Sequence, residues 1–200
     1  MSKSMINVYT IIKKYGNKVI LDHFDQGFER GCYCIIGPNG SGKSTLLKIL
    51  AGLDKDFSGK IDFPNGDINK LRTYLPDIPK YYPFIKAFEF IEMVCKIRDI
   101  DCAKYIDRFS VPFKLQDVLD LPLRSLSLGQ MKRVFCTVSL IDEAPIWILD
   151  EPSNGLDMQA REALVSAIHN HTKTGVVILS EHNQQTIKSI GELQFIKLGT

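Results

Sequence analysis

The densest chemistry in the chain lies in Gly37-Pro38-Asn39-Gly40-Ser41-Gly42-Lys43-Ser44-Thr45. This run fits G-x-x-x-x-G-K-[ST], in which glycines let the backbone wrap a phosphate and turn successive N–H groups inward. Cys32 to Ile36, just before it, is a short apolar run. After it, Leu46, Leu47, Ile49 and Leu50 recur at helical spacing until Gly52. Strand, loop and helix in that order put the loop at a helix N-terminus, where positive potential favours an anion. Lys43 is then placed to reach β- and γ-phosphates, and Ser44 to offer its hydroxyl to Mg²⁺. The competing reading is a glycine-rich turn that binds nothing, and the flanking strand and helix argue against it.

A second constellation closes the apolar run Ile146-Trp147-Ile148-Leu149 with Asp150 and Glu151. A carboxylate at a strand end beside a phosphate loop suits a hydrated Mg²⁺, which is the part expected of Asp150. Glu151 next to it suits the general base that orients and deprotonates an attacking water. Standing alone, this pair would read as two solvated acids. It is accompanied, however, by Leu126-Ser127-Leu128-Gly129-Gln130 before a helix pattern bearing Met131, Val134, Phe135 and Val138. Asn154-Gly155-Leu156-Asp157 follows the carboxylates, and Ser180-Glu181-His182 ends the apolar run Val176 to Leu179.

With those motifs in that order from Tyr15 to His182, the chain resembles the ATPase subunit of an ATP-binding cassette (ABC) protein over nearly its whole length. The resemblance implies that Tyr15 stacks on adenine. It implies that Gly37, Pro38, Asn39, Gly40, Ser41, Gly42, Lys43, Ser44 and Thr45 hold the phosphates. Ser44 and Asp150 hold Mg²⁺, with Asp77 as a further metal candidate, and Glu151, His182 and Lys43 serve catalysis. Ser127, Gly129 and Gln130 belong to the signature that meets ATP held by an opposite subunit, and Asp157 to the loop that communicates across that dimer. His182 matches the histidine that donates to the γ-phosphate. The pattern departs from the family at Asp77, where Gln is usual: aspartate is one methylene shorter and charged, so whether it meets the metal through water or does not reach it stays open. Leu128 stands where Gly is common, and this change is expected to be tolerated.

The elements that must position these residues follow from periodicity. Ile6 to Tyr15 and Val19 to Phe28 read as strands broken at Gly16-Asn17. The unbroken apolar runs at 146–149 and 176–179 suit parallel strands covered on both faces, and Ala160, Ala163, Leu164, Ala167 and Ile168 supply a helix between them. The expected fold is α/β: a phosphate-loop core with a mainly parallel sheet, an N-terminal antiparallel β part and an inserted helical subdomain. Residues 1–76 and 126–200 form the core of one ABC ATPase domain spanning 1–200. Residues 77–125 form the subdomain, with helices expected over Ala87–Arg98, Asp101–Phe109 and Lys114–Leu119.

Length and composition exclude other classes. Two hundred residues with a net charge of +2 are too evenly balanced to argue for a nucleic-acid partner, and none is expected. No apolar run approaches the ~20 residues of a membrane span, and the N-terminus lacks the apolar stretch of a secretory signal. The five cysteines read as reduced thiols. Cys32 and Cys34 lie two apart on a strand without further ligands, and are read as core. His169 and His171 fall on nearly opposite helix faces and cannot chelate one ion. Tyr81, Tyr82, Phe84, Phe88 and Phe90 are divided between subdomain core and a groove for a helix of a membrane partner. The resemblance thus implies ATP and Mg²⁺, a second copy or related ATPase as dimer partner, an integral membrane permease, and a cytoplasmic location at the membrane's inner face. The short length and the Ala144–Leu149 wording look similar to compact exporter-type ATPases linked to haem and cytochrome c maturation. Alternatives are a soluble ABC ATPase not coupled to transport, a nucleotide clamp with little hydrolysis, and an ordinary phosphate-loop kinase or GTPase. The signature speaks against a kinase, and no Asn-Lys-x-Asp motif supports a GTPase.

Overall fold

The computed structural model describes residues 5–64, 68–141 and 144–199. In chain order the first elements are β1 (Ile6–Tyr15), β2 (Lys18–Phe28), β3 (Gly31–Ile36), α1 (Lys43–Leu50), β4 (Ser58–Asp62), α2 (Ile68–Leu71) and β5 (Arg72–Leu75). Then come α3 (Ala87–Arg98), α4 (Cys102–Ser110), α5 (Leu128–Ser139), β6 (Ile146–Asp150), α6 (Met158–His171), β7 (Val176–Ser180), α7 (Gln184–Ile190) and β8 (Gln194–Lys197).

Two sheets result. β1 and β2 form the expected antiparallel hairpin, turned at Gly16 with φ +57°, and β4 pairs antiparallel along the other edge of β1. The second sheet is wholly parallel in the order β5-β6-β7-β3-β8. Its central strands are buried on both faces, and the pleat deals alternate residues to two cores. Cys32, Cys34, Trp147, Leu149, Val177 and Leu179 face one core, which also takes residues of α3, α5 and α6. Tyr33, Ile35, Ile146, Ile148, Val176 and Ile178 face the other, against α1 and the antiparallel sheet. Cys32 and Cys34 are therefore core residues, and burial pushes the Cys34 thiol up to about 11.

Between Asp77 and Ser125, α3, α4 and a single 3₁₀ turn at Leu123–Ser125 are the regular elements, with one isolated bridge between Lys86 and Pro122. The expected third helix over Lys114–Leu119 does not form. Lys114 takes a left-handed φ of +48°, and the residues after it make turn bonds such as Val118 N–H to Leu115 O, while the Leu119 carbonyl accepts from the Phe88 amide of α3. Leu115 and Val118 are buried all the same, so the apolar spacing that suggests a helix instead reflects side chains tucked under a turn. The aromatic cluster divides. Phe90 packs on Phe135 of α5 at 4.9 Å between centroids, while Tyr82 and Phe84 are 70% and 73% exposed. His171 is buried, its ring stacked on Trp147 at 3.8 Å, whereas His169 is exposed.

Candidate active site

Because the five strands run parallel, all their C-terminal ends lie along one edge of the sheet, the usual place for a ligand in such folds. The register aligns Ile35, Ser180 and Asp150 across β3, β7 and β6, and Leu75 sits beside Leu149. The phosphate-loop motif after β3, Asp77 after β5, Glu151 after β6 and His182 after β7 are thereby delivered to one place. The loop, Asp77 and Glu151 border a cavity of about 590 Å³, within the range of small-molecule sites, and His182 contacts Glu151 without lining the cavity. Its lining includes Tyr15, Lys18, Ile20, Asn39, Gly40, Gly42, Lys43, Ser44, Thr45, Asp77 and Glu151.

Gly42 is the N-cap of α1, with φ +100° and no side-chain cap, so no side chain occupies the amides of the first turn. A Cβ there would stand 2.8 Å from Ile20 Cγ2, so space as well as φ demands glycine. The loop is closed by a bond from Ser41 N–H to Pro38 O, and the Ser41 hydroxyl is buried without a partner. Lys43 curls back across the loop, donating to the carbonyls of Gly37 (2.8 Å) and Pro38 (3.1 Å). Uncapped amides, a lysine and two hydroxyls around a cavity of this size fit a polyphosphate. Ser44 and Asp77 bring oxygen ligands to the same cavity, the donor type that Mg²⁺ requires.

Asp150 lies behind the cavity wall and is buried. Its Oδ1 accepts from Ser180 Oγ at 2.7 Å, and that hydroxyl oxygen accepts from the Glu151 amide at 3.0 Å. Glu151 is held in the left-handed region at φ +47°, and its Oε2 meets His182 Nδ1 at 2.5 Å. Burial raises the Glu151 carboxyl above its ordinary value, and the His182 bond works in the opposite direction. Asp77 accepts from Asn154 Nδ2 at 3.0 Å, tying the loop after β5 to the loop after β6.

Two charged residues of this edge carry no assigned role in the motif pattern. Glu181, buried, accepts from the amides of Ser153, His182 and Asn183, so it builds the turn that presents His182. Its signal in the sequence is an acid directly after an apolar strand. Lys132 of α5, also buried, donates to the carbonyls of Pro76, Asp77 and Asp150, bridging the ends of β5 and β6. Burial pushes its ammonium below the usual lysine range, and Cys136, Asp77, Asp150 and Glu151 work against that fall.

The remaining sequence candidates stand apart from this cavity. Ser127 is the N-cap of α5: its Oγ accepts from Gln130 N–H at 3.3 Å, and Gln130 Oε1 accepts from Ser127 N–H at 2.9 Å. Leu128 is exposed and disturbs no packing. Gly129 backs onto the loop after β6, where an added Cβ would lie 2.8 Å from Gly155 O. Asp157 caps α6 through the Ala160 amide at 2.9 Å and pairs with Lys114 Nζ at 3.1 Å.

A parallel sheet with a lysine-bearing phosphate loop and an acid pair at its C-terminal edge defines a phosphate-loop nucleotide-binding domain. The sequence profile of the ABC transporter family matches residues 26–154, and the chain belongs to that family as its nucleotide-binding domain. The chain is 31% identical over 184 residues to the cytochrome c biogenesis ATP-binding export protein CcmA of Sphingopyxis alaskensis, covering 89% of this chain and 90% of that one. It is 29% identical over 195 residues to the lantibiotic transport ATP-binding protein SrtF of Streptococcus pyogenes, covering 94% and 84%. Among solved structures, an ATP-binding subunit of an ABC transporter superposes with a TM-score of 0.84 over 98% of this chain and 86% of that one, at 24% identity.

Proposed function

We propose that this chain hydrolyses ATP, with Mg²⁺ as cofactor, to drive a separate membrane permease. The observation that carries the reading is the cavity around which Lys43, Ser44, Asp77 and Glu151 converge from three different segments. Lys43 leaves the Gly37 and Pro38 carbonyls to meet the β- and γ-phosphates, and the amides at the start of α1 take the remaining phosphate charge. Mg²⁺ would be held by Ser44 and, through its bound water, by Asp150, with Asp77 nearby, and would supply positive charge to the phosphates. Glu151 takes the proton of the attacking water on Oε1, since His182 occupies Oε2. Tyr15 lines the same cavity and receives the adenine on its ring.

Ser127, Gly129, Gln130 and Asp157 are read as completing the site of a second copy. Their distance from the chain's own cavity supports that reading, as does a signature segment set on a helix N-terminus. Residues 77–125 are read as the helical subdomain of a single domain, the rest forming its core. Its exposed Tyr82 and Phe84 suit a groove for a helix of the permease. Among the described residues no helix is long and apolar enough to cross a membrane. The location that fits is therefore the cytoplasmic face of the membrane, held there by the permease.

Glu151→Gln tests this. It keeps the side chain's volume and leaves the phosphate loop intact, so ATP binding should persist while phosphate release falls by about 10²–10⁴-fold. Wild-type phosphate release from this variant would remove Glu151 as the base. A wild-type protein that binds ATP but releases no phosphate would make the chain a nucleotide clamp.

A further inference from the structure

The buried ion network behind Tyr15 has no part in the reading above. Lys13 points inward from β1, and its side chain is 2% exposed. Its ammonium donates to Asp54 Oδ1 at 2.9 Å, to Asp56 Oδ2 at 3.2 Å and to the Asp56 carbonyl. An ammonium has three protons, so Lys13 is saturated and has none left for a phosphate. The same nitrogen lies 4.8 Å from the centroid of the Tyr15 ring, within cation–π range. Asp54 uses its second oxygen for Tyr15, accepting from the phenol at 3.2 Å. Burial favours a neutral Asp54, but the bonds from Lys13, the Asp56 amide and Tyr15 outweigh it and hold the carboxyl below its ordinary value.

Tyr15 is half exposed and ends a strand, a position where a side chain would otherwise sample several rotamers. Here the ring is held at two points, at its hydroxyl and on one face. Because Lys13 covers that face, a base is received only on the other. Asp54 in turn sits on the segment leaving α1, its amide donating to Lys48 O at 3.2 Å. One network therefore ties the aromatic platform to the helix whose N-terminus cradles phosphate.

We infer that Lys13 and Asp54 are positioning residues that fix Tyr15 as the base platform of the site, setting affinity for the nucleoside half of ATP and not for its phosphates. This rests on Tyr15 receiving adenine, which is tested in parallel. Binding of ATP and of inorganic tripolyphosphate, which has no base, is measured by calorimetry on the full chain for wild type, Tyr15→Ala, Lys13→Met and Asp54→Asn. Stacking on one aromatic residue is worth roughly five- to a hundredfold in affinity. Tyr15→Ala should weaken ATP by about tenfold or more, and Lys13→Met and Asp54→Asn by about fivefold, with tripolyphosphate binding held within about twofold in all three.

If Tyr15→Ala weakens ATP but Lys13→Met and Asp54→Asn leave it unchanged, the inference falls and the platform stands. If Tyr15→Ala leaves ATP affinity unchanged, both fall. Equal losses for ATP and tripolyphosphate in the Lys13 and Asp54 variants would make the network a fold element only, overturning the inference. Should Lys13→Met not fold, Asp54→Asn decides alone: it sits on a partly exposed loop, leaves Lys13 bonded to Asp56, and breaks the carboxylate link to the phenol.

Discussion

Replacing Gly129 by alanine isolates the packing that places the signature segment. An ideal Cβ at 129 would stand 2.8 Å from the carbonyl oxygen of Gly155, nearer than carbon and oxygen tolerate, and the obstacle is backbone, not a side chain that can swing away. Forcing extra volume into such a contact costs about 1–3 kcal/mol. Against this, alanine gains up to about 1 kcal/mol over glycine inside a helix, and less at a position in the first turn of α5. The net is a loss of about 1–2 kcal/mol. For a chain of 200 residues that lowers the melting temperature by about 2–8 °C, readable by differential scanning calorimetry. Leu128→Ala is the control: the side chain next door is exposed, so its removal should stay within about 0.5 kcal/mol of wild type. The ATPase rate of Gly129→Ala should fall as well, because relieving the clash moves the start of α5 away from the loop that carries Asn154 and Asp157. A melting temperature equal to or above wild type would show that the two backbones are free to separate, and the argument for a fixed signature position would fail.

Two further outcomes are expected. Lys43→Ala removes the one lysine of the phosphate loop, and bonds from a charged donor are worth about 1.5–3 kcal/mol, so calorimetric affinity for ATP should drop about ten- to a hundredfold; an unchanged affinity would exclude Lys43 from phosphate binding. Burial raises the Glu151 carboxyl above 4.5, and a base acts only when deprotonated, so kcat should decline as pH falls through that raised value; His182→Ala removes the bond that opposes the rise and should move the acidic limb to still higher pH, whereas a limb that moves down or stays put would separate His182 from Glu151 in function.

Much of this site is legible in the sequence because its parts sit at the ends of elements with strong local signals. Continuous apolar runs at 32–36, 146–149 and 176–179 mark strands buried on both faces, and such strands pair in parallel. Parallel pairing alone then forces their C-terminal residues to one edge. Lys43, Asp150 and Glu151 are found by that logic before any distance is known, and His182 by the order of motifs that the resemblance supplies. The short strands β4, β5 and β8, at five, four and four residues, carry too little periodicity to be read and exist because neighbouring strands offer them hydrogen bonds. Lys114–Leu119 fails for the converse reason: its apolar spacing is real, but one left-handed residue spends it on a turn. Lys13, Asp54 and Lys132 are invisible for a different reason. Each is a charged residue whose side-chain partners lie mainly on other segments, so little in its neighbours along the chain marks it, whereas Glu181 leaves only the faint signal of an acid after an apolar strand.

Asp77 joins the two kinds of residue. From sequence it is a shorter, charged residue where Gln is usual, with its reach to the metal left open. In the fold, Lys132 places a buried ammonium against the Asp77 and Asp150 carbonyls, and Asn154 binds the new carboxylate directly. The carboxylate is therefore met by the amide of Asn154, from the loop that leads to Asp157, while the ammonium from α5 holds the main chain beside it. An acid at 77 gives Asn154 a charged acceptor, which ties the loop after β5 to the loop after β6 more strongly than a neutral amide would, because hydrogen bonds to a carboxylate are about twice as strong as neutral ones; the Lys132 bonds go to main-chain carbonyls that any residue at 77 presents. Residue 77 therefore joins α5 through its main chain and the loop after β6 through its side chain.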